Sequence, residues 1–145
     1  MNKELKELIT PFPANYIKSK PGGRGGDYVE HGVVRQRLLD TVGFYDWRIE
    51  REIYDEGKLT GCIGTLTIYV GGRPFTVQGA GDVEFDQGSN ASNLKHAESD
   101  AIKRAAMNLG LGLHLWCGDN YFIYEKNIKK ELKHEQGESI NSEGP

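Results

Sequence analysis

The chain has 145 residues, 37% of them hydrophobic, and a formal net charge of −3. That length suits one domain of ordinary size plus a tail. The acidic balance argues against a globally basic nucleic-acid binder but leaves room for a local basic stripe. No apolar run is long enough for a transmembrane helix. The opening MNKELKELIT has no apolar signal-peptide core, so a cytoplasmic location without membrane contact is expected. The two cysteines, Cys62 and Cys117, are too few for a disulfide framework or a zinc site of four thiolates. Both are read as reduced, Cys62 in a strand and Cys117 in a loop.

The first predicted element is a short amphipathic helix over residues 2–9, with Leu5, Leu8 and Ile9 facing inward. Pro11 and Pro13 end it, and Phe12, Tyr16 and Ile17 form an apolar anchor for a second short turn. The stretch KSKPGGRGG from Lys18 to Gly26 reads as a mobile loop carrying Lys18, Lys20 and Arg24. Its glycines permit positive φ and close approach to a ligand, and a simple flexible connection explains them equally well. It is not a phosphate-binding P-loop, because no Gly-Lys-Ser/Thr follows.

Tyr28 and Val29 are extended. From His31 to Val42 the apolar residues Val34, Leu38 and Val42 recur at helical spacing, and Gly43 is the stop. Arg35 and Arg37 lie on its more exposed sides, where arginines are ordinarily part of a solvated face. Three strands are predicted next: Asp46 to Asp55, Leu59 to Val70, and Arg73 to Phe85. Glu56-Gly57 and Gly71-Gly72 are the hairpin turns between them. Gly79 and Gly81 are expected to mark a bulge or strong bend, giving a curved meander.

A polar segment follows, with Ser89 or Ser92 as the helix cap. The longest predicted helix then runs on from it. Leu94, Ala97, Ala101, Ile102, Ala105, Ala106 and Leu109 share one broad face, while His96, Asp100, Lys103, Arg104 and Met107 share the opposite one. Lys95 stands at the border. Glu98 falls inside the apolar arc, so it is expected either against a buried partner or at a subunit contact. Gly110 and Gly112 end the helix, and Leu113, Leu115 and Trp116 turn back onto the core. Tyr121 to Tyr124 reads as a last short strand or a packed segment. From residue 127 the chain is polar, with four Glu against one Lys from Glu131 onward, and is expected to be a disordered tail.

Several of these segments resemble, in order, the Rad-fifty-two family of single-strand annealing proteins, which includes phage and bacterial relatives. Asn15-Tyr16-Ile17-Lys18-Ser19 and the glycine-rich loop begin the resemblance. Tyr28-Val29-Glu30 is similar to the family's Tyr-Ile-Glu. Gly43-Phe44-Tyr45-Asp46-Trp47 resembles its Gly-Tyr-x-x-Trp at the same distance from that Tyr. Gly79-Ala80-Gly81 resembles its Gly-Tyr-Gly. In the long helix the family has a Lys eight residues before a Lys-Arg pair and an Asp three residues before it, as Lys95, Asp100, Lys103 and Arg104 stand here. The similarity covers roughly residues 12–124.

The resemblance implies a β-β-β-α core whose subunits assemble into a ring or helical multimer. Single-stranded DNA would lie in a positive groove, phosphates inward and bases outward. Lys95, Lys103 and Arg104 match basic positions of that groove. The family's arginine on the first helix falls on Val33, with Arg35 and Arg37 as candidate replacements, and a further one falls on Met107. Annealing of complementary strands without ATP is implied. Loading of a recombinase is not, because that belongs to a C-terminal region of the eukaryotic members. A single-strand-binding protein or an exonuclease is a candidate helper.

Other readings of the same residues stay open. A double-stranded-RNA-binding module shares the α-β-β-β-α order, though its lysines cluster at the start of the last helix. Asp82, Glu84 and Asp86 alternate and so could share one strand face, as the carboxylates of a metal-dependent nuclease would; an exposed strand edge explains them too. His114 and Cys117 are two metal-ligand types without two more. Tyr45, Tyr54 and Tyr69 are candidates for base stacking. The reading adopted is an α+β domain over residues 1–126 with a curved three-stranded antiparallel meander on a long helix, preceded by a short helix. The tail takes residues 127–145. Neither a cofactor, a resident metal nor an enzymatic activity is expected. The DNA-binding set is Lys95, Lys103, Arg104, Arg35, Arg37, Lys18, Lys20 and Arg24.

Overall fold

The computed structural model describes residues 2–21 and 26–141, with side chains through 137. Helix α1 spans Lys3–Ile9, and the side-chain oxygen of Asn2 caps it by accepting from the Leu5 backbone N–H at 3.1 Å. A 3-10 turn at Ala14–Tyr16 leads into β1 (Lys18–Ser19), which pairs antiparallel with β2 (Asp27–Tyr28). The two ends of the expected mobile loop are thus held together. The Lys18–Glu30 ion pair at 2.5 Å and the Ser19 hydroxyl on Asp27 at 3.0 Å reinforce that hairpin.

Helix α2 (His31–Val42) ends at Gly43, whose φ of 78° favours glycine. Strands β3 (Asp46–Asp55), β4 (Lys58–Val70) and β5 (Arg73–Asp82) form an antiparallel sheet in that order. The β3–β4 turn places Glu56 and Gly57 at φ 48° and 78°, and the β4–β5 turn places Gly71 and Gly72 at 58° and 74°. Positive φ at both central residues suits two-residue hairpin turns, whose twist matches that of the strands. Helix α3 (Asn90–Met107) is capped by Ser89, whose hydroxyl accepts from the Ser92 N–H. Helix α4 (Leu113–Cys117), a 3-10 turn at Gly118–Asn120 and helix α5 (Ile123–Asn141) complete the described chain.

The expected architecture is present: a three-stranded sheet packed on the longest apolar-faced helix, with a short helix before it. The core lies between β4 and the helices. Leu66 and Ile68 of β4, Val34 and Leu38 of α2, and Ala105 and Ala106 of α3 are all buried together. Leu59 and Cys62 meet Ala97 and Ala101 in a second cluster.

The glycines of β5 have a different role from the one expected. The bulges of the sheet lie between β3 and β4, at Ile49/Arg51 and Ile53/Tyr54, while the β4–β5 register is regular. A Cβ on Gly79 would strike the Ala101 carbonyl, and one on Gly81 the Ala97 carbonyl. These glycines, facing the alanines of α3, let the helix backbone lie directly on the strand.

Four other expectations are corrected. Strand β5 stops at Asp82, short of Phe85. Cys117 closes α4 instead of sitting in a loop. Of the two readings of Tyr121 to Tyr124 the strand is excluded, since Tyr121 and Phe122 lead into α5, which begins at Ile123, and the region from 127 continues that helix to Asn141. Two contacts with α1 hold α5: the Tyr121 hydroxyl, just before it, donates to the Ile9 carbonyl, and Lys6 pairs with Glu131 within it at 2.7 Å. The polar composition hid the helix because its support comes from α1, more than a hundred residues earlier in the chain.

Candidate nucleic-acid interface

The apolar stripe of α3 fixes the direction of everything else on that helix. With Ala97, Ala101 and Ala105 against the sheet, Asp100, Lys103 and Arg104 turn toward the β1–β2 hairpin and α4. They line a cleft of about 240 Å³ together with Lys20, Tyr28 and Trp116.

Lys103 is the most constrained cation there. Its ammonium stands 5.6 Å from the centre of the Tyr28 ring, and among the described residues it forms no ion pair. Burial pushes its pKa below the usual lysine value; Lys20 and Arg104 add to that, while Asp100 and Glu30 oppose it. Arg104 is anchored differently. Its Nε lies 3.2 Å from Asp100 Oδ2, and its guanidinium sits 4.8 Å over the Trp116 ring. Asp100 Oδ2 also accepts from the Asp82 backbone N–H at 3.3 Å, which ties this ion pair to the end of β5.

Lys95 is exposed and shares an adjoining recess with Lys103, His96 and Tyr28. Lys20 reaches the cleft from beyond β1. Lys18 flanks it but is paired with Glu30. Arg24 lies outside the described residues. The structure thus brings Lys95, Lys103, Arg104 and Lys20 to one side of α3.

The two arginines of α2 have other partners. Arg37 Nη1 donates to the carbonyls of Glu7 and Thr10, each at 2.9 Å, and its guanidinium stacks 4.6 Å over Phe12. Those carbonyls belong to the last turn of α1 and the residue after it, which have no helical partner of their own. Arg37 is therefore a clasp between α1 and α2, half-buried, with its pKa lowered chiefly by burial. Arg35 meets Glu98 at 3.7 Å, the Tyr45 hydroxyl at 3.4 Å and His31 Nδ1 at 3.1 Å.

Glu98 has its partner within the chain. The Trp47 indole N–H donates to Glu98 Oε1 at 3.0 Å. The indole itself occupies the space above Gly64, where any Cβ would collide with the ring.

Trp116 and Tyr28 are the aromatic residues of the cleft, and sequence reasoning did not assign them to it. Trp116 was expected on the core, yet 52% of it is exposed. The available signal was the glycine pair: Gly110 and Gly112, at φ 90° and 75°, turn the chain after α3, and Trp116 of α4 meets Arg104 of α3. Met107, expected on the basic face, instead lines an apolar groove with Leu5 and Ile9 of α1. Tyr45, Tyr54 and Tyr69 lie at the sheet, outside the cleft lining.

The carboxylates do not form a common strand face. Only Asp82 belongs to β5; Asp86 turns toward the start of α3. It pairs with Lys58 at 2.8 Å and accepts from Gly88 N–H and Asn93 Nδ2. The Lys58 ammonium, with those two N–H groups, holds its pKa down to about 2. Among the described residues no group of three His, Cys, Asp or Glu side chains could hold a metal ion. His114 stands between the Phe12 and Tyr121 rings, at 5.8 and 5.9 Å. No described helix is long and apolar enough to cross a membrane.

Comparison with known proteins bears on the same segments. The model of the Rad52/22 family of double-strand break repair proteins matches residues 2–136. The single-stranded DNA-binding protein DdrA of Deinococcus radiodurans is 32% identical over 119 residues, covering 77% of this chain and 53% of that protein. The protein of the same name from Deinococcus deserti is 28% identical over 134 residues, covering 87% of this chain and 63% of its own length. The chain therefore spans between about half and two thirds of these relatives. No solved structure matches it. With the match running from before α1 into α5, the chain belongs to the Rad52/22 family of double-strand break repair proteins.

Proposed function

We propose that this protein binds single-stranded DNA along the basic side of α3 and promotes annealing of complementary strands, without ATP, in recombination and double-strand break repair. The observation that carries this reading is Lys103: a half-buried ammonium with no ion pair among the described residues, flanked by Arg104 and Lys20. A phosphate oxygen entering the cleft supplies the missing counter-charge. The curated relatives are named as single-stranded DNA-binding proteins, which supports the same ligand.

Annealing breaks no bond. It requires a grip on the backbone that leaves base edges free, and Lys and Arg contacts to phosphate provide a sequence-independent, salt-sensitive grip. The core of the interface is Lys103, Arg104, Lys95 and Lys20, with Lys18 beside it, and Arg24 is kept as a candidate from the sequence. Arg35 and Arg37 support the fold. A few cations per subunit bind weakly, so the reading includes a homo-oligomeric ring or filament in which the stripe repeats and its contacts add by multivalency. That arrangement also lets a subunit of net charge −3 bind DNA. A single-strand-binding protein or an exonuclease is the expected helper.

The test is fluorescence anisotropy with a labelled single-stranded oligonucleotide, comparing the wild type with Lys103→Glu/Arg104→Glu. Binding is expected to be lost while the thermal melt and particle mass are kept. Unchanged affinity at low salt overturns the assignment. Annealing is read from the rate at which complementary strands pair without ATP, and assembly from the light-scattering mass relative to the 16.2 kDa subunit. Competition with double-stranded RNA, and the integrity of the DNA after incubation with Mg²⁺ or Mn²⁺, address the duplex-RNA and nuclease alternatives.

A further inference from the structure

The cleft holds three cations, Lys20, Lys103 and Arg104, but also two carboxylates, Asp27 and Asp100. Among its described residues the balance is a single positive charge, a modest attraction for phosphate alone. Its outer wall is Trp116, with 52% of its surface exposed. An exposed indole loses the favourable burial that tryptophan usually finds. Phe44, Phe85 and Phe122 are more exposed still, at 93%, 72% and 68%, but none of them lines this cleft.

The position of Trp116 is built. Gly110 and Gly112 adopt positive φ at the turn after α3. Leu111 is buried in the core, and Leu115 packs against it from α4. Trp116 is thereby presented beside Arg104, whose guanidinium covers the ring at 4.8 Å. Its indole N–H has no hydrogen-bond partner among the described residues. A planar, partly open ring next to a phosphate-sized cation cluster has the two parts needed to hold one nucleotide unit.

We infer that Trp116 is a base-stacking residue of the interface: a base of the bound strand lies flat on the indole while its phosphate meets Lys103, Arg104 and Lys20. This rests on the single-stranded DNA reading above and deepens it. Stacking engages the π face of a base, so it tolerates any sequence and leaves the Watson–Crick edge free for a complementary strand. The stack supplies the part of the affinity that the small net charge does not. Arg104 stiffens the ring on one side and contacts phosphate on the other.

The experiment measures binding of the full chain to two oligonucleotides of equal length, one of thymidines and one of abasic sugar-phosphate units. Trp116→Ala is expected to weaken binding to the thymidine strand roughly tenfold or more, to leave the abasic strand unaffected, and to lose most of the DNA-dependent quenching of tryptophan fluorescence. Trp116→Phe is expected to keep most of the affinity, and if the alanine protein melts early Trp116→Leu, which fills the space without a ring, takes its place with the same loss expected on the thymidine strand alone. Equal losses on both strands would mean that the indole only props Arg104, and the inference fails. It fails also if neither Trp116→Ala nor Trp116→Leu changes binding to the thymidine strand. If the wild type binds neither strand, the single-stranded DNA reading itself falls and takes this inference with it.

Discussion

The Trp47 indole N–H meets Glu98 Oε1 at 3.0 Å, and the same carboxylate oxygen lies 3.7 Å from Arg35. One acidic side chain inside the apolar arc of α3 thus joins β3, α3 and α2. Replacing Glu98 with alanine leaves a half-buried indole N–H without its acceptor and takes the carboxylate away from the Arg35 guanidinium, which keeps His31 and Tyr45. The expected loss is about 1–3 kcal/mol of stability, because an orphaned donor costs more than the bond itself contributes. Glu98→Gln keeps an acceptor for Trp47 and is expected to lose less. Urea denaturation of the two variants checks the order.

The contact of β5 with α3 is closer than side chains would permit. Gly79→Ala and Gly81→Ala each drive a methyl group into the α3 backbone, and backbone cannot move aside as a flexible side chain can. Each is expected to cost about 3 kcal/mol or more, beyond ordinary core overpacking. Gly32 is the control. It lies in α2, and a Cβ there would meet nothing within 4 Å. Gly32→Ala is expected to gain up to about 1 kcal/mol from helix propensity. Thermal melts of the three proteins give the comparison.

The same contact shows what could be read from the sequence. Periodicity located α2, the three strands and α3, because Val34 and Leu38, the alternation of β4 and the alanines of α3 each report one buried face. It also predicted that Lys103 and Arg104 leave the core. It did not reveal what they face. The cleft forms from a hairpin some seventy-five residues upstream and from α4 downstream, and no local pattern records that return. Gly79 and Gly81 were recognisable as special, but a bend and a close approach select the same residue. Arg37 looked like part of a solvated face because its partners are backbone carbonyls of α1, which have no sequence signature. Helix α5 was hidden for the same reason.

Asp86 gives the protein a pH dependence whose sign is fixed. Its pKa is held at about 2, against an ordinary value of 3.8, by Lys58 and by the N–H groups of Gly88 and Asn93. A carboxyl with a depressed folded-state pKa stabilises above its unfolded value and loses that contribution as pH falls through the folded one. The window here runs from about pH 4 down to about pH 2. Asp86→Asn is expected to be less stable than the wild type at neutral pH, with the difference shrinking across that window. Denaturation midpoints measured from pH 6 to pH 2 test it; a constant difference would show that the carboxylate charge has no part.

Two basic residues that look alike in sequence should separate in solution. Lys103 has no ion pair among the described residues, whereas Arg37 donates twice to α1 carbonyls. Neutralising Lys103 as Lys103→Gln removes one phosphate contact under the proposed function. The slope of log affinity against log salt for single-stranded DNA should then fall by about 0.7, the contribution of one neutralised phosphate on a single strand. The stability of that variant should rise slightly or stay level, since a desolvated cation is gone. Arg37→Gln should do the opposite. Its loss leaves the Glu7 and Thr10 carbonyls without their donor and uncovers Phe12, at a cost of about 1–3 kcal/mol, while the salt slope stays that of the wild type. Titrations at several salt concentrations, paired with urea melts, measure both quantities on the same samples. A reduced slope for Arg37→Gln would place α2 in the DNA path after all.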